Sequence, residues 1–337
     1  TNKYFSTQTK KQIELGMEIA QMASDEITDS NEPFEVVKSL MNQSIKRDEG
    51  WKEFYKEEMN KIQPINNSSK ILNVGNCELT HCGVGFGMMM DGGSSVLFSK
   101  QLDFMLLGLD QICNTYNSIR AFESKKDIGS FTIFVIVCDQ GLQGPQSSFN
   151  GPSDFFSMAN IPVYCLNESS DIEKVIKNNF VNKGFRIICL SQKEFKNKLN
   201  APAAIYSSKD QGIFQYEKGS DVTFLNFNFG LKYFLQLSKE LKKNNISSDV
   251  FHINFLNGMN LKPLIDSIKK TKKIVLLDDS KSVLKYGDYL LNEFIKLELD
   301  FKIHTEYRRG TSDLNYGVNE DILSVSTNDV IKFIKKK

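Results

Sequence analysis

The residues of this chain best placed to do chemistry lie in the stretch Asn76-Cys77-Glu78-Leu79-Thr80-His81-Cys82-Gly83-Val84-Gly85-Phe86-Gly87, which continues to Gly92 and Gly93. One carboxylate, Glu78, stands just ahead of glycines at 83, 85 and 87, and a Met run follows at 88–90. Glycine costs a helix about 1 kcal/mol relative to alanine. Three glycines so close together therefore imply that another backbone, or a flat ligand, comes near. The plainer reading is a Gly-rich turn leading into a buried helix.

Other chemistries find little support. A dinucleotide fingerprint needs G-x-G-x-x-G directly after a strand; here the third glycine comes too early and residues 76–82 intervene. Neither G-x-x-x-x-G-K-[ST] nor G-x-S-x-G occurs, which leaves P-loop and hydrolase-elbow chemistry without a motif. Six cysteines occur singly at 77, 82, 113, 138, 165 and 189, with no Cys-x-x-Cys pair. That pattern reads as reduced thiols in a cytoplasmic protein, with neither a disulfide framework nor a zinc site. The three histidines, at 81, 252 and 304, lack metal-ligand spacing, so no metal site is expected.

Lys plus Arg number 42 and Asp plus Glu 41 in 337 residues. No basic stripe points to nucleic acid, and no apolar run nears the roughly 20 residues of a membrane helix. The polar opening, residues 1–11, does not read as a secretory signal. A cytoplasmic chain with neither nucleic-acid nor membrane partners is expected.

The elements that must position Glu78 follow from hydrophobic rhythm. Residues 1–69 read as a polar helical segment joined to the first domain. From residue 70 strands and helices alternate: a strand at 70–74, a helix from the glycine stretch to about Met90, a strand at 95–99 and a helix at 103–120 facing inward through Phe104, Leu107, Leu109, Ile112 and Tyr116. The unbroken apolar run 131–138 fits a parallel strand buried on both faces. A short helix near 153–158, a strand at 163–166, a helix at 171–182 and a strand at 185–190 complete a domain spanning 70–195. Residues 196–218 read as a linker. A second domain, 219–337, alternates strands at 221–229, 249–256, 273–278 and 301–307 with helices at 230–243, 261–270 and 282–296. Two such blocks predict an α/β chain of two domains, each an open, mostly parallel sheet flanked by helices. Ligands of such sheets sit beyond the carboxyl ends of the strands. Asp278-Asp279-Ser280 closes one strand and can cap the next helix.

Taken in order, ELTHCGVGFGMMMDGG, DFMLLGLDQICN, QGPQSSFNGPSDFF and GSDVTFLNFNFG resemble the beta subunit of thiamine-diphosphate-dependent 2-oxoacid dehydrogenases. They are also similar to the pyrimidine-binding and C-terminal domains of transketolase, over roughly residues 70–337. The resemblance implies those two folds in succession. It also implies that Glu78, with Gly83, Gly85, Gly87 and Gly92 at matching positions, hydrogen-bonds the cofactor's aminopyrimidine. That contact favours the imino tautomer that takes the proton from the thiazolium carbon. Phe98, Gln101 and Phe104 fall around the pyrimidine. Ser147 or Ser148 falls where the family carries a substrate-facing histidine.

The resemblance further implies thiamine diphosphate and Mg2+ as cofactors. This chain lacks the family's G-D-G…N motif, so diphosphate and metal would be held mainly by an alpha subunit, in an alpha2beta2 heterotetramer. The reaction implied is C–C cleavage next to a ketone, either 2-oxoacid decarboxylation or ketol transfer, on a small keto substrate. Gln101 replaces a usual aromatic, the strand end at 278–280 also lacks the family's histidine, and residues 26–69 look helical where the family has a strand. These departures motivate an alternative, a degenerate non-catalytic partner of the same fold. A cofactor-free binding module is a third reading.

Overall fold

A computed structural model describes residues 77–122, 127–139, 149–194, 202–255, 260–282, 284–308 and 325–336. The strand expected at 70–74 and the helical segment expected at 1–69 lie outside them. In chain order the elements are α1 (Glu78–Met90), β1 (Ser94–Ser99), a 3-10 segment (Leu102–Gly108), a π-helical turn (Gln111–Thr115), α2 (Tyr116–Phe122), β2 (Ser130–Val137), α3 (Pro152–Ala159), β3 (Val163–Leu166), α4 (Ser169–Asn179) and β4 (Gly184–Ser191). There follow β5 (Tyr206–Ser207), β6 (Ile213–Glu217), β7 (Val222–Phe227), α5 (Leu231–Lys243), β8 (Ser248–Ile253), α6 (Lys262–Thr271), β9 (Lys273–Asp278), α7 (Tyr286–Lys296), β10 (Lys302–Tyr307) and α8 (Thr327–Lys335).

The strands form two sheets, as the alternating pattern predicts. The first is parallel, in the order β1-β2-β4-β3. The second is mixed, in the order β10-β9-β7-β8-β6-β5, with β10, β9, β7 and β8 parallel and β8, β6 and β5 antiparallel. By compactness the chain divides into two units. One holds the described residues through Ile136 and within Ile172–Leu199; the other holds Val137–Asp171 and those from Asn200 onward.

In the first unit, every residue of β2 is buried, as its unbroken apolar run requires. Its Phe131 stacks on Phe185 at 5.1 Å between centroids and meets Phe86 of α1 edge-on at 5.0 Å. Tyr116 closes the cluster on Phe86 and Phe185, at 5.6 and 5.2 Å. α1 reaches this cluster because Gly85 has no side chain: a Cβ there would lie 2.4–2.7 Å from the Phe131 ring. The helix ends on Gly92 at φ +81°, with Gly92 N–H donating to Met89 O at 3.1 Å and Gly93 N–H to Met88 O at 2.9 Å. That pair of bonds is the Schellman closure, for which a left-handed glycine is the favoured residue.

The helix expected over 103–120 is a helix of another kind. Over residues 102–108 the chain winds as a 3-10 helix, in which side chains three apart eclipse. Leu102, Met105 and Gly108 are accordingly the buried positions, whereas Leu107, expected to face inward, is 66% exposed. A π-helical turn at 111–115 then returns the chain to α geometry at Tyr116.

In the second unit β7 and β8 are buried throughout, and β9 in all but its first residue. Their core is Leu225, Phe227, Phe251, Ile253, Ile274 and Leu276, joined by Leu264 and Ile268 of α6 and Leu290 and Phe294 of α7. The span read as a linker, 196–218, carries β5 and β6, and β6 pairs with β8. Only Ile213, Phe214 and Tyr216 hint at β6, because an edge pairing needs few apolar residues.

Glycine spacing on α1 yields a paired test. Gly85→Ala should destabilise by about 1–3 kcal/mol through overpacking against Phe131. Gly87→Ala, where a Cβ meets nothing within 4 Å, should stabilise by up to about 1 kcal/mol from helix propensity. Urea denaturation of the two variants reads both signs.

Candidate functional site

Glu78 is the first residue of α1. A carboxylate in the first turn of a helix gains about 0.3–1 kcal/mol from the helix dipole. Cys77 occupies the N-cap, its Sγ 3.0 Å from Thr80 Oγ1, and hydrogen bonding from Thr80 holds this exposed thiol below its usual pKa. Glu78 is half-buried. Among the described residues, no hydrogen bond or ion pair engages its carboxylate. One turn on, Cys82 is buried, and desolvation, with the Glu78 charge second, pushes its thiol up to about 12.

The 3-10 segment ends against this first turn. A Cβ on Gly108 would fall 2.8 Å from Cys82 Sγ and 3.3 Å from Glu78 O. Packing therefore joins the Glu78 end of α1 to residues 102–108. Gln101 caps the far end of that segment, on the order of 14 Å along its axis at a rise of about 2.0 Å per residue.

Phe98 is half-buried, and its ring lies 5.5 Å from that of Phe134 and 6.5 Å from that of Phe180, so much of its surface serves the core. Gln101 is 1% exposed; its carbonyl accepts from Phe104 N–H at 3.2 Å and from Ser99 Oγ–H at 3.3 Å. Phe104 is half-buried. Ser147 and Ser148 lie outside the described residues. No group of three or more His, Cys, Asp and Glu among the described residues could hold a metal ion.

A second polar constellation, which the sequence reading did not find, lies in the second unit around the ends of β7, β8 and β9. His252 is wholly buried. Asn226 Nδ2 lies 2.9 Å from its Nδ1, and Cys165 O and Asn254 Oδ1 lie 2.9 and 3.1 Å from its Nε2. One neutral tautomer satisfies all three contacts: Nε2–H donates and Nδ1 accepts. Asn254 Oδ1 also accepts from Cys165 N–H at 2.7 Å, and Asn228 Nδ2 donates to Asp278 Oδ1 at 2.7 Å. Asp278 Oδ2 in turn accepts from Tyr286 N–H at 3.2 Å. Residues 278–280, expected to cap the next helix, do not occupy its cap position, which Lys285 holds without a side-chain cap; Asp278 instead accepts from the first amide of α7. The only sequence signal for the constellation was asparagine and histidine at alternate positions of apolar strands.

The chain is 22% identical over 214 residues to the chloroplastic pyruvate dehydrogenase E1 component subunit beta-3 of Arabidopsis thaliana, covering 62% of this chain and 52% of that one. It is 22% identical over 238 residues to the pyruvate dehydrogenase E1 component subunit beta of Cyanidium caldarium, covering 68% and 72%. The chain is thus similar to pyruvate dehydrogenase E1 beta subunits. The chain spans about half the length of the first of these relatives, 52%. Among solved structures it is similar to a split-gene transketolase, an inactive beta4 tetramer, with a TM-score of 0.54, 14% identity and coverage of 86% and 87%. That likeness bears out the transketolase-like fold, and the homology bears out the family resemblance. No family model matches the chain. No helix among its described residues is long and apolar enough to cross a membrane.

Burial lowers the pKa of His252 from 6.5 to about 4, against the upward pull of its hydrogen bonds. Between those values the unfolded chain binds the proton and the folded chain does not. Stability is therefore complete above pH 6.5 and falls as pH drops toward 4, by up to about 1.4 kcal/mol per pH unit for this one group. Urea midpoints measured from pH 7 to 4.5 should show that slope, and His252→Gln, less stable at pH 7, should lack this component.

Proposed function

We propose that the chain is the beta-type half of a heteromeric thiamine-diphosphate-dependent enzyme that cleaves a C–C bond next to a ketone. The observation that carries this reading is Glu78 itself: a half-buried carboxylate at the start of α1, uncommitted among the described residues. It is thereby able to hold the ring nitrogen of an aminopyrimidine. Homology to E1 beta subunits supports the assignment.

The chain's residues fit the cofactor in part. Phe104 keeps exposed ring surface for stacking on a pyrimidine. Gln101, in the place of an aromatic, is buried and has no stacking face. Phe98 spends much of its ring on the core, against Phe134 and Phe180. When bound, the cofactor supplies the electron sink for the cleavage. Glu78 would keep a proton between its carboxyl and the pyrimidine nitrogen, and the apolar surroundings of α1 would exclude water from it. Diphosphate and Mg2+ would be held chiefly by an alpha subunit. Exposed apolar side chains on α1, Leu79, Val84 and Met88, each 44–54% exposed, with open space beside Gly87, support a partner seated against that helix. Ser147 or Ser148 would contact a small keto acid or ketose.

A second reading, a non-catalytic partner of the same fold, is favoured by Gln101. Its burial fills the aromatic's place with a group that cannot stack.

Mixed with an alpha chain carrying G-D-G…N, the protein should bind thiamine diphosphate with Mg2+ and turn over a keto substrate. Glu78→Gln should lower turnover by about 10²–10⁴-fold, the usual span of acid–base contributions, without moving the melting temperature. Unchanged turnover in Glu78→Ala would sink the catalytic reading and leave the second.

A further inference from the structure

Glu78 has a neighbour that the function proposed above does not use. His81 stands three residues on in α1. Side chains at that spacing share one side of a helix, with Cβ atoms about 5–6 Å apart. Both residues are half-buried. They border on Cys82, which is buried, so the pair sits where the packed face of α1 meets its open face. The main chain of His81 makes a helical hydrogen bond, its N–H donating to Cys77 O at 3.0 Å. Its ring has no hydrogen-bond or ion-pair partner among the described residues.

The other two histidines are committed. His252 is wholly buried, with Asn226 Nδ2 and Cys165 O each 2.9 Å from one of its ring nitrogens. His304 Nε2 lies 2.8 Å from Glu306 Oε1. Of the three imidazoles in the chain, the uncommitted one is thus the one beside the carboxylate on which the proposed function turns. Packing alone does not ask for it. An apolar group of that size would fill a half-buried place as well, without ring nitrogens that lose solvation there. What imidazole adds is proton exchange, because it is the side chain that gains and loses a proton near neutrality.

The proposed function gives that property a use. Glu78 would hold a proton against a pyrimidine nitrogen, and a partner seated on α1 would part the carboxyl from bulk water. A proton entering or leaving the site then needs a carrier. A side chain three residues away on the same helix meets the requirement of hydrogen-bond reach, directly or through one water.

We infer that His81 relays protons between Glu78 and solvent. The inference rests on the proposed role of Glu78. In the outward direction, one ring nitrogen of His81 takes the proton of the Glu78 carboxyl, and the imidazolium gives the proton on its other nitrogen to water. Exchange with solvent restores the starting tautomer. One proton leaves the site, and no bond to carbon forms or breaks. His81 touches neither cofactor nor substrate and acts through Glu78.

The first test uses the full chain alone, with histidine isotopically labelled for NMR. The His81 ring signals should show a second inflection besides the imidazole's own, the mark of Glu78 ionising a few ångströms away. Cys77 and Cys82 on α1, and Asp103 and Asp110 on the stretch packed against it, are the other titrating groups nearby. Glu78→Gln should remove the inflection, whereas Cys77→Ser, Asp103→Asn and Asp110→Asn should keep it. An inflection that is absent, or that survives in Glu78→Gln, overturns the inference. The second test uses the chain assembled with an alpha chain, thiamine diphosphate and Mg2+. There His81→Gln should lower kcat about tenfold or more, with KM for the keto substrate and the melting temperature unmoved. Added imidazole should raise the kcat of His81→Ala about tenfold and leave that of Glu78→Gln as it is. Equal kcat in wild type and His81→Gln, or no rescue of His81→Ala, overturns the relay while Glu78-dependent turnover upholds the proposed function. Turnover that ignores Glu78 overturns both, because the relay then has no acid to serve.

Discussion

The ring of Phe131 lies against a helix position with no side chain at Gly85, and the placement of Glu78 depends on that contact. A Cβ at Gly85 would overlap the ring at 2.4 Å, so α1 lies as close to β2 as a backbone and a phenyl ring permit. Phe86, next in sequence, enters the aromatic cluster with Tyr116 and Phe185. With the helix fixed at its middle, its two ends are fixed as well. Gly92 turns the chain out toward β1 at one end, and at the other Glu78 meets the 3-10 segment through Gly108. A flat apolar contact thus determines where a carboxylate sits. Close packing transmits position because cores resist changes of even one methylene.

The second unit solves a different problem. The carboxyl ends of its parallel strands are buried, and buried polar groups must be hydrogen-bonded. The chain meets this with short amides and one neutral imidazole: Asn226, Asn228, His252 and Asn254 bond to one another, to main-chain carbonyls and to Asp278. In open parallel sheets this is where ligands usually bind. Here the ends of β7, β8 and β9 are joined by protein hydrogen bonds instead, and the junction serves architecture.

Much of this fold was legible in the sequence, because apolar runs bounded by turn residues mark parallel strands. β3 and β9 begin and end at the residues their patterns indicate, and α5 and β10 differ by one. Legibility failed where tertiary contact overrode local pattern. Residues 102–108 have the composition of an α-helix, yet burial at every third position winds them as 3-10. β5 and β6 sit in a span without rhythm, because their order comes from pairing with β8. The candidate site was legible as a motif and not as geometry. Spacing marked Glu78 and the glycines, but nothing in the sequence showed that Gln101 is buried, that Phe98 is half spent on the core, or that Gly108 packs against Glu78. His252 escaped notice because a lone histidine in an apolar strand carries no pattern that separates structural from catalytic use.

The difference between a catalytic subunit and an inert one of the same fold comes down to which residues packing would retain anyway. Gly85, Gly92, Phe131 and Phe185 are held by the architecture and would stand in either. Gln101 is buried and its main chain caps the 3-10 segment, so it too has a structural duty. Glu78 has less. Its charge gains only the modest help of a helix start, which Asp, Ser or Thr would supply as well, and its carboxylate meets no partner among the described residues. A half-buried, unpaired carboxylate costs solvation without a compensating bond. The fold does not need that group there, whereas the proposed aminopyrimidine would, and on this balance the physical argument favours the proposed role of Glu78.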